Sequence, residues 1–146
     1  MMKLPKLLFL LSAVFLLLTS ASVASASDFE WMRDFNLRAE ADPSGFRAQL
    51  ATRFRLGDAQ VTAVIGNVAG PADAYMVFRL GEMAGRPPEY VLEQYKTGRG
   101  KGWGALAQSL GIKPGSPEFH ALKRGHDLYL SDDRGRNRGD KGKARK

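Results

Sequence analysis

Glycine and proline cut this chain into pieces that suit short helices. The breaks fall at Pro43, Gly57, Gly70-Pro71, Gly85, Pro87-Pro88, the run from Gly98 to Gly104, Gly111, Pro114-Gly115 and Pro117. Proline is tolerated at the first position of a helix, where its missing N–H has no partner anyway. Glycine just past the end supplies the left-handed residue that stops one. Between the breaks the apolar residues keep helical spacing. Phe46, Leu50 and Phe54 recur every four residues along one face. Val61, Val64, Ile65 and Val68 take the i, i+3, i+4 and i+7 positions, and so do Trp103, Leu106, Ala107 and Leu110. The β-branched content of Val61–Val68 would suit a strand, but its spacing favours a helix.

The starts and stops can be read in the same terms. Ser27-Asp28-Phe29-Glu30 fits a capping box, which predicts a first helix to about Ala41 carrying Trp31, Met32 and Phe35. Asp42-Pro43 starts a second; Gly57 is expected to close it and Asp58 to cap a third. A fourth runs from Ala72 to Ala84, with Met76, Leu80 and Met83 on one face and Tyr75 and Phe78 beside it, and Gly85 ends it. Pro87-Pro88 starts a fifth with Tyr90, Val91, Leu92 and Tyr95, stopping near Thr97-Gly98. Gly111 is placed as a left-handed cap with Ile112 folding back. Ser116-Pro117-Glu118 then opens a last helix, with Phe119 and Leu122 as its core residues, that fades by Gly125. Helices this short are not stable alone. The expected fold is therefore all-α, a compact bundle of five to seven short helices.

Residues Met1 to Ala26 have the layout of a secretory signal peptide. Lys3 and Lys6 precede an apolar run from Leu7 to Leu18, and Ala24-Ser25-Ala26 offers a small-x-small cleavage pattern, placing the cut between Ala26 and Ser27. The apolar run has 12 residues, whereas a bilayer-spanning helix needs about 20. The mature protein is expected in the periplasm or outside the cell, with no transmembrane helix after cleavage. The chain contains no cysteine, so disulfides, thiolate metal sites, cysteine nucleophiles and a lipidated cysteine are all excluded.

The net charge of +7 is not spread evenly. Lys3 and Lys6 hold +2 and residues 131–146 a net +4, which leaves +1 for the helical part. The tail contains Arg134, Arg136, Arg138, Lys141, Lys143, Arg145 and Lys146 among glycines, with no apolar residue larger than Ala144. Such a segment buries too little to offset its ordering entropy, so disorder is expected. The domain reading is a signal peptide over 1–26, a helical domain over 27–130 and a disordered basic tail over 131–146. The tail suits anionic lipid, a polyanion or a protein partner; it equally suits a solubilising end.

No catalytic or metal-binding constellation stands out, and no cofactor is expected. The Gly98–Gly104 run lacks the preceding strand and the Walker pattern of a phosphate loop; it reads as a turn that lets Trp103 dock. His120 and His126, the two histidines, read as a solvated pair, too few for zinc without help from Asp127, Asp132 or Asp133. Charge placement selects Lys96, Arg99, Lys101, Lys123 and Arg124 as the binding candidates on the folded part, joined by Trp103 and His120 from the same loop and helix. The expected function is a non-catalytic binding or interaction module. An enzyme with a pocket invisible in sequence and a helix-turn-helix nucleic-acid binder are the alternatives.

Two resemblances bear on this. Gly100-Lys101-Gly102-Trp103-Gly104, Leu110-Gly111-Ile112-Lys113-Pro114-Gly115-Ser116 and Glu118-Phe119-His120, with Gly70-Pro71-Ala72-Asp73-Ala74-Tyr75-Met76 upstream, resemble the hallmark of a family of small exported bacterial proteins of unknown function. That resemblance implies export and no particular activity. Residues 91–123 also resemble the helix-turn-helix at the DNA-binding end of sigma factors, with Trp103, Leu106, Ala107, Leu110, Gly111 and Ile112 at the packing positions. It implies a recognition helix over Ser116–Arg124. The lengthened Gly98–Gly102 turn, Pro114 and Pro117 depart from that pattern. A near-neutral domain and an export leader also disfavour DNA.

Overall fold

The computed structural model describes residues 29–98 and 100–129. The expectations placed on residues 1–28 and 130–146, namely the leader, the Ser27 cap and the tail, lie outside them. Among the described residues there are seven helices and no strand. They are α1 (Trp31–Ala41), α2 (Pro43–Phe54), α3 (Asp58–Ile65), α4 (Pro71–Ala84), α5 (Pro88–Thr97), α6 (Gly102–Ser109) and α7 (Pro117–Arg124). The all-α reading holds, and Val61–Val68 is helical up to Ile65. None of these helices is long and apolar enough to cross a membrane.

Several ends form as the sequence dictates. The Asp42 side chain accepts from the Gly45 N–H, and the Ser116 hydroxyl accepts from the Phe119 N–H. Gly111 takes φ +88°, and the Ile112 N–H reaches back to the Ala107 carbonyl at 3.0 Å, bringing Ile112 into the core. The second helix ends differently from expectation. Arg55, not Gly57, adopts the left-handed conformation (φ 55°), and the Leu56 N–H donates to the Ala51 carbonyl at 3.0 Å. A non-glycine residue there costs roughly 1–2 kcal/mol. Leu56, which packs against the core just beyond, offsets that cost. Gly57 becomes the N-cap of α3, and Asp58 its first-turn acid rather than its cap.

Helix α4 is the axis of the bundle and packs against α1, α2, α3 and α5. Ala72, Ala74, Tyr75, Met76, Val77, Phe78, Leu80 and Gly81 are all buried, so its apolar surface runs all round rather than along one stripe. Its N-cap, Gly70, has no side chain to offer. Asn36 of α1 supplies the acceptor instead, taking the Ala72 N–H at 2.7 Å. At the other end the Arg86 N–H turns back to the Gly81 carbonyl at 2.9 Å. A Cβ at Gly81 would stand 2.8 Å from the Arg86 carbonyl oxygen, so only glycine fits that turn unstrained.

The chain does not leave the core at Gly125. Residues 125–129 fold back across α1 and α4, burying Leu128 and Tyr129. Phe35 sits at the centre of the resulting aromatic cluster, with Trp31, Phe46, Tyr75, His126 and Tyr129 around it at centroid separations of 4.7 to 5.8 Å. The Trp31 indole N–H donates to the Leu122 carbonyl at 3.1 Å and ties α1 to the end of α7.

Candidate functional site

The α5–α6 turn is built for one docking event. The Thr97 hydroxyl donates to the Glu93 and Gln94 carbonyls, and the Gly98 N–H donates to Gln94, closing α5. The Lys101 N–H returns to the Gly98 carbonyl at 3.0 Å, and Gly100 and Gly102 take φ values of +94° and +81° that other residues rarely adopt. This reversal lays the Trp103 indole nearly parallel to the Tyr95 ring, with centroids 5.2 Å apart and planes 17° from parallel. The indole N–H donates to Asp73 Oδ1 on α4 at 3.1 Å. Burial raises the Asp73 carboxyl above its ordinary pKa; the hydrogen bonds from Trp103 and the Gly70 region oppose that shift in part. The Tyr95 hydroxyl accepts from the Ala69 N–H. The turn lets Trp103 dock, as its sequence suggested.

The binding candidates divide between two places. Lys96 is exposed and pairs with Glu93 at 3.3 Å, and Lys101 is exposed in the turn. Arg99 lies outside the described residues. His120 and Arg124 are exposed on α7, and the Lys123 ammonium lies 5.1 Å from the centre of the Phe119 ring. α6 and α7 meet where Gly104 faces the Phe119 ring. The exposed residues of α7 are Pro117, Glu118, His120 and Arg124, a balanced set rather than the basic face a DNA-reading helix needs.

His126 corrects the reading of two solvated histidines. His120 is exposed, but His126 packs among Trp31, Phe35, Tyr75 and Tyr129. Among the described residues no group of three or more histidines, cysteines, aspartates or glutamates could hold a metal ion.

Sequence reasoning missed the main polar cluster altogether. The Arg53 guanidinium forks onto both Glu82 oxygens at 2.9 and 3.0 Å and reaches Asp127 Oδ2 at 2.7 Å. Arg79 bonds Glu82 and lies 3.8 Å from Asp127. The Tyr75 hydroxyl donates to Asp127 Oδ1 at 2.9 Å. Burial pushes Asp127 up, but the bonds from Arg53 and Tyr75 outweigh it and hold the carboxyl below its ordinary range. Glu82 is lowered chiefly by its Arg53 bond. Burial, with the Asp127 charge adding to it, drives the Tyr75 phenol far above its usual value. A general acid or base works best with a pKa near the ambient pH, and these groups are displaced away from neutrality. The cluster acts as a clamp on residues 125–129. Its partners lie 29, 52 and 74 positions apart, a separation no local spacing reveals.

Comparison with protein-family models, with curated proteins and with solved structures returns no match.

Proposed function

We propose that the chain is an exported, non-catalytic binding module whose helical body positions the basic segment 131–146 against an anionic surface of the cell envelope. The observation that carries this reading is the segregation of charge. The helical part holds about one net charge, while sixteen residues at its C-terminal side hold seven cations against three acids. A leader with a basic start, a 12-residue apolar run and a small-x-small end supports export. The clamp at Asp127 supports the positioning role, because it fixes the chain four residues before the tail begins. Contacts of this kind contribute about 1 kcal/mol per basic residue at an anionic membrane and weaken with salt. Catalysis is the weaker reading, since the groups of the polar cluster are engaged with one another.

The test uses phosphatidylglycerol and phosphatidylcholine vesicles with the whole chain and with a variant lacking residues 131–146. Binding should be confined to phosphatidylglycerol and lost on deletion; unchanged binding by the deletion variant refutes the tail's role. Sequencing the N-terminus of the protein recovered from fractionated cells checks export, and Met1 retained on a cytoplasmic protein refutes it.

A further inference from the structure

Beside the Tyr95–Trp103 stack lies a cavity of about 130 Å³ lined by Tyr95, Gly98, Gly100, Gly102, Trp103 and Leu106. We propose that this cavity binds a single aromatic ring carrying an anionic group, a small aromatic acid of the benzoate type. The site belongs to the folded body and is independent of the tail.

Size sets the first limit. An apolar cavity of about 150 Å³ accepts a benzene ring, so this one admits one six-membered ring and does not enclose a fused pair. The lining sets the second. Its carbon surface comes from the two aromatic rings and Leu106, and the polar atoms of its side chains face protein partners. The Trp103 N–H is given to Asp73, and the Tyr95 hydroxyl takes the Ala69 N–H. A sugar ring would bring many hydroxyls in from water against a lining whose side chains are mostly carbon and offer them few partners. A flat aromatic ring requires no such partners and gains from contact with Tyr95 and Trp103. Trp103 is held by the stack, by Asp73 and by the turn, so the wall is formed in advance and little ordering opposes binding.

Charge sets the third limit. Lys101 lines an adjoining cleft of about 280 Å³ that shares Gly98 and Leu106 with the cavity. The cavity also borders the first turn of α6, whose dipole favours negative charge. Asp73, which accepts the Trp103 N–H, does not line the cavity. An anionic substituent reaching from the ring towards Lys101 fits this arrangement and a cation does not.

The experiment titrates the purified full-length chain with benzoate, benzyl alcohol, glucuronate and indole-3-carboxylate, followed by NMR. Benzoate should saturate with a Kd between about 0.1 and 1 mM, a fair range for so small a ligand. Benzyl alcohol should bind more weakly for want of charge, and glucuronate and the indole acid should fail to saturate. Leu106→Phe, which fills the cavity, should abolish benzoate binding. Lys101→Gln should weaken it by about two- to fivefold, the worth of an exposed ion pair. Contacts between benzoate ring protons and the Trp103 and Tyr95 side chains in the unmodified protein decide the matter even if Leu106→Phe does not fold. The proposal is overturned by no saturation at about 10 mM benzoate, by contacts elsewhere on the protein, or by glucuronate binding as tightly.

Discussion

Asp73 shows how one residue can be both useful and costly. It sits in the first turn of α4, accepts the Trp103 indole N–H, and is half-buried enough for its charge to be disfavoured. Asparagine keeps an acceptor for Trp103 and removes the desolvated charge, at the expense of a favourable contact with the helix dipole worth about 0.3–1 kcal/mol. Asp73→Asn should therefore leave stability within about 0.5 kcal/mol of the parent. Asp73→Leu strands the indole donor and should cost about 1–3 kcal/mol. Urea denaturation followed by circular dichroism measures both, and equal losses would show that the hydrogen bond is not what matters. At this scale the sequence was informative wherever a residue's role was local. Asp42, Ser116 and Gly111 sit at their expected caps, and Phe46, Leu50, Val61, Val64, Phe119 and Leu122 are buried as their spacing implied. Tyr90, counted among the apolar residues of α5, is 43% exposed, with the Arg86 guanidinium over its ring. It lies on the α5 face away from Val91 and Leu92, a direction that a run of three apolar neighbours does not reveal.

The elements are held by partners that lie far away in sequence, and there local patterning loses its grip. Helix α4 was read as one-sided from Met76, Leu80 and Met83, yet Ala72, Ala74, Val77 and Gly81 are buried too. Small residues carry little hydrophobic signal, but they let neighbouring helices approach from every side. The start of α4 depends on Asn36, which reaches over from α1 to cap the Ala72 N–H. Asn36→Ala should cost about 0.5–2 kcal/mol, as loss of an N-cap does, and Asn36→Asp should recover most of it. Thermal unfolding of the two variants checks the order; an alanine variant as stable as the parent would remove Asn36 from the fold's supports. The return of residues 125–129 gave no periodic signal because it is not a helix. Tyr129 is nonetheless 4% exposed and packs on Phe35, with the Arg38 guanidinium over its ring. Tyr129→Ala should cost about 3–5 kcal/mol, in the range for a buried aromatic. Removal of residues 131–146 should leave the unfolding midpoint unchanged.

At the scale of the whole molecule, one ionic cluster joins α2, α4 and the returning segment, so stability should follow the charge of Glu82 and Asp127. Both carboxyls titrate lower in the folded protein than when unfolded, Asp127 because Arg53 and Tyr75 outweigh its burial, Glu82 because of Arg53 and then Arg79. A depressed folded value contributes stability that is complete above the unfolded value, near 4 for a carboxyl, and lost as the pH falls through the folded one. Asp73 works in the opposite sense. Its folded value is raised by burial, so protonation as the pH falls favours the folded state and partly counters that loss. Stability should thus be level near neutral pH and fall below about 4 as the Arg53 clamp loses its anions, with Asp73 softening the decline. Asp127→Asn should be less stable than the parent at neutral pH, because Tyr75 and Arg53 lose a charged acceptor, and it should decline less steeply in acid. Asp73→Asn should lack that offset and lose more stability than the parent as the pH falls. Urea midpoints measured from pH 7 to about 2.5 give all three slopes. An Asp127→Asn variant that parallels the parent through the acid range would place the acid sensitivity elsewhere and reduce the cluster to surface pairing.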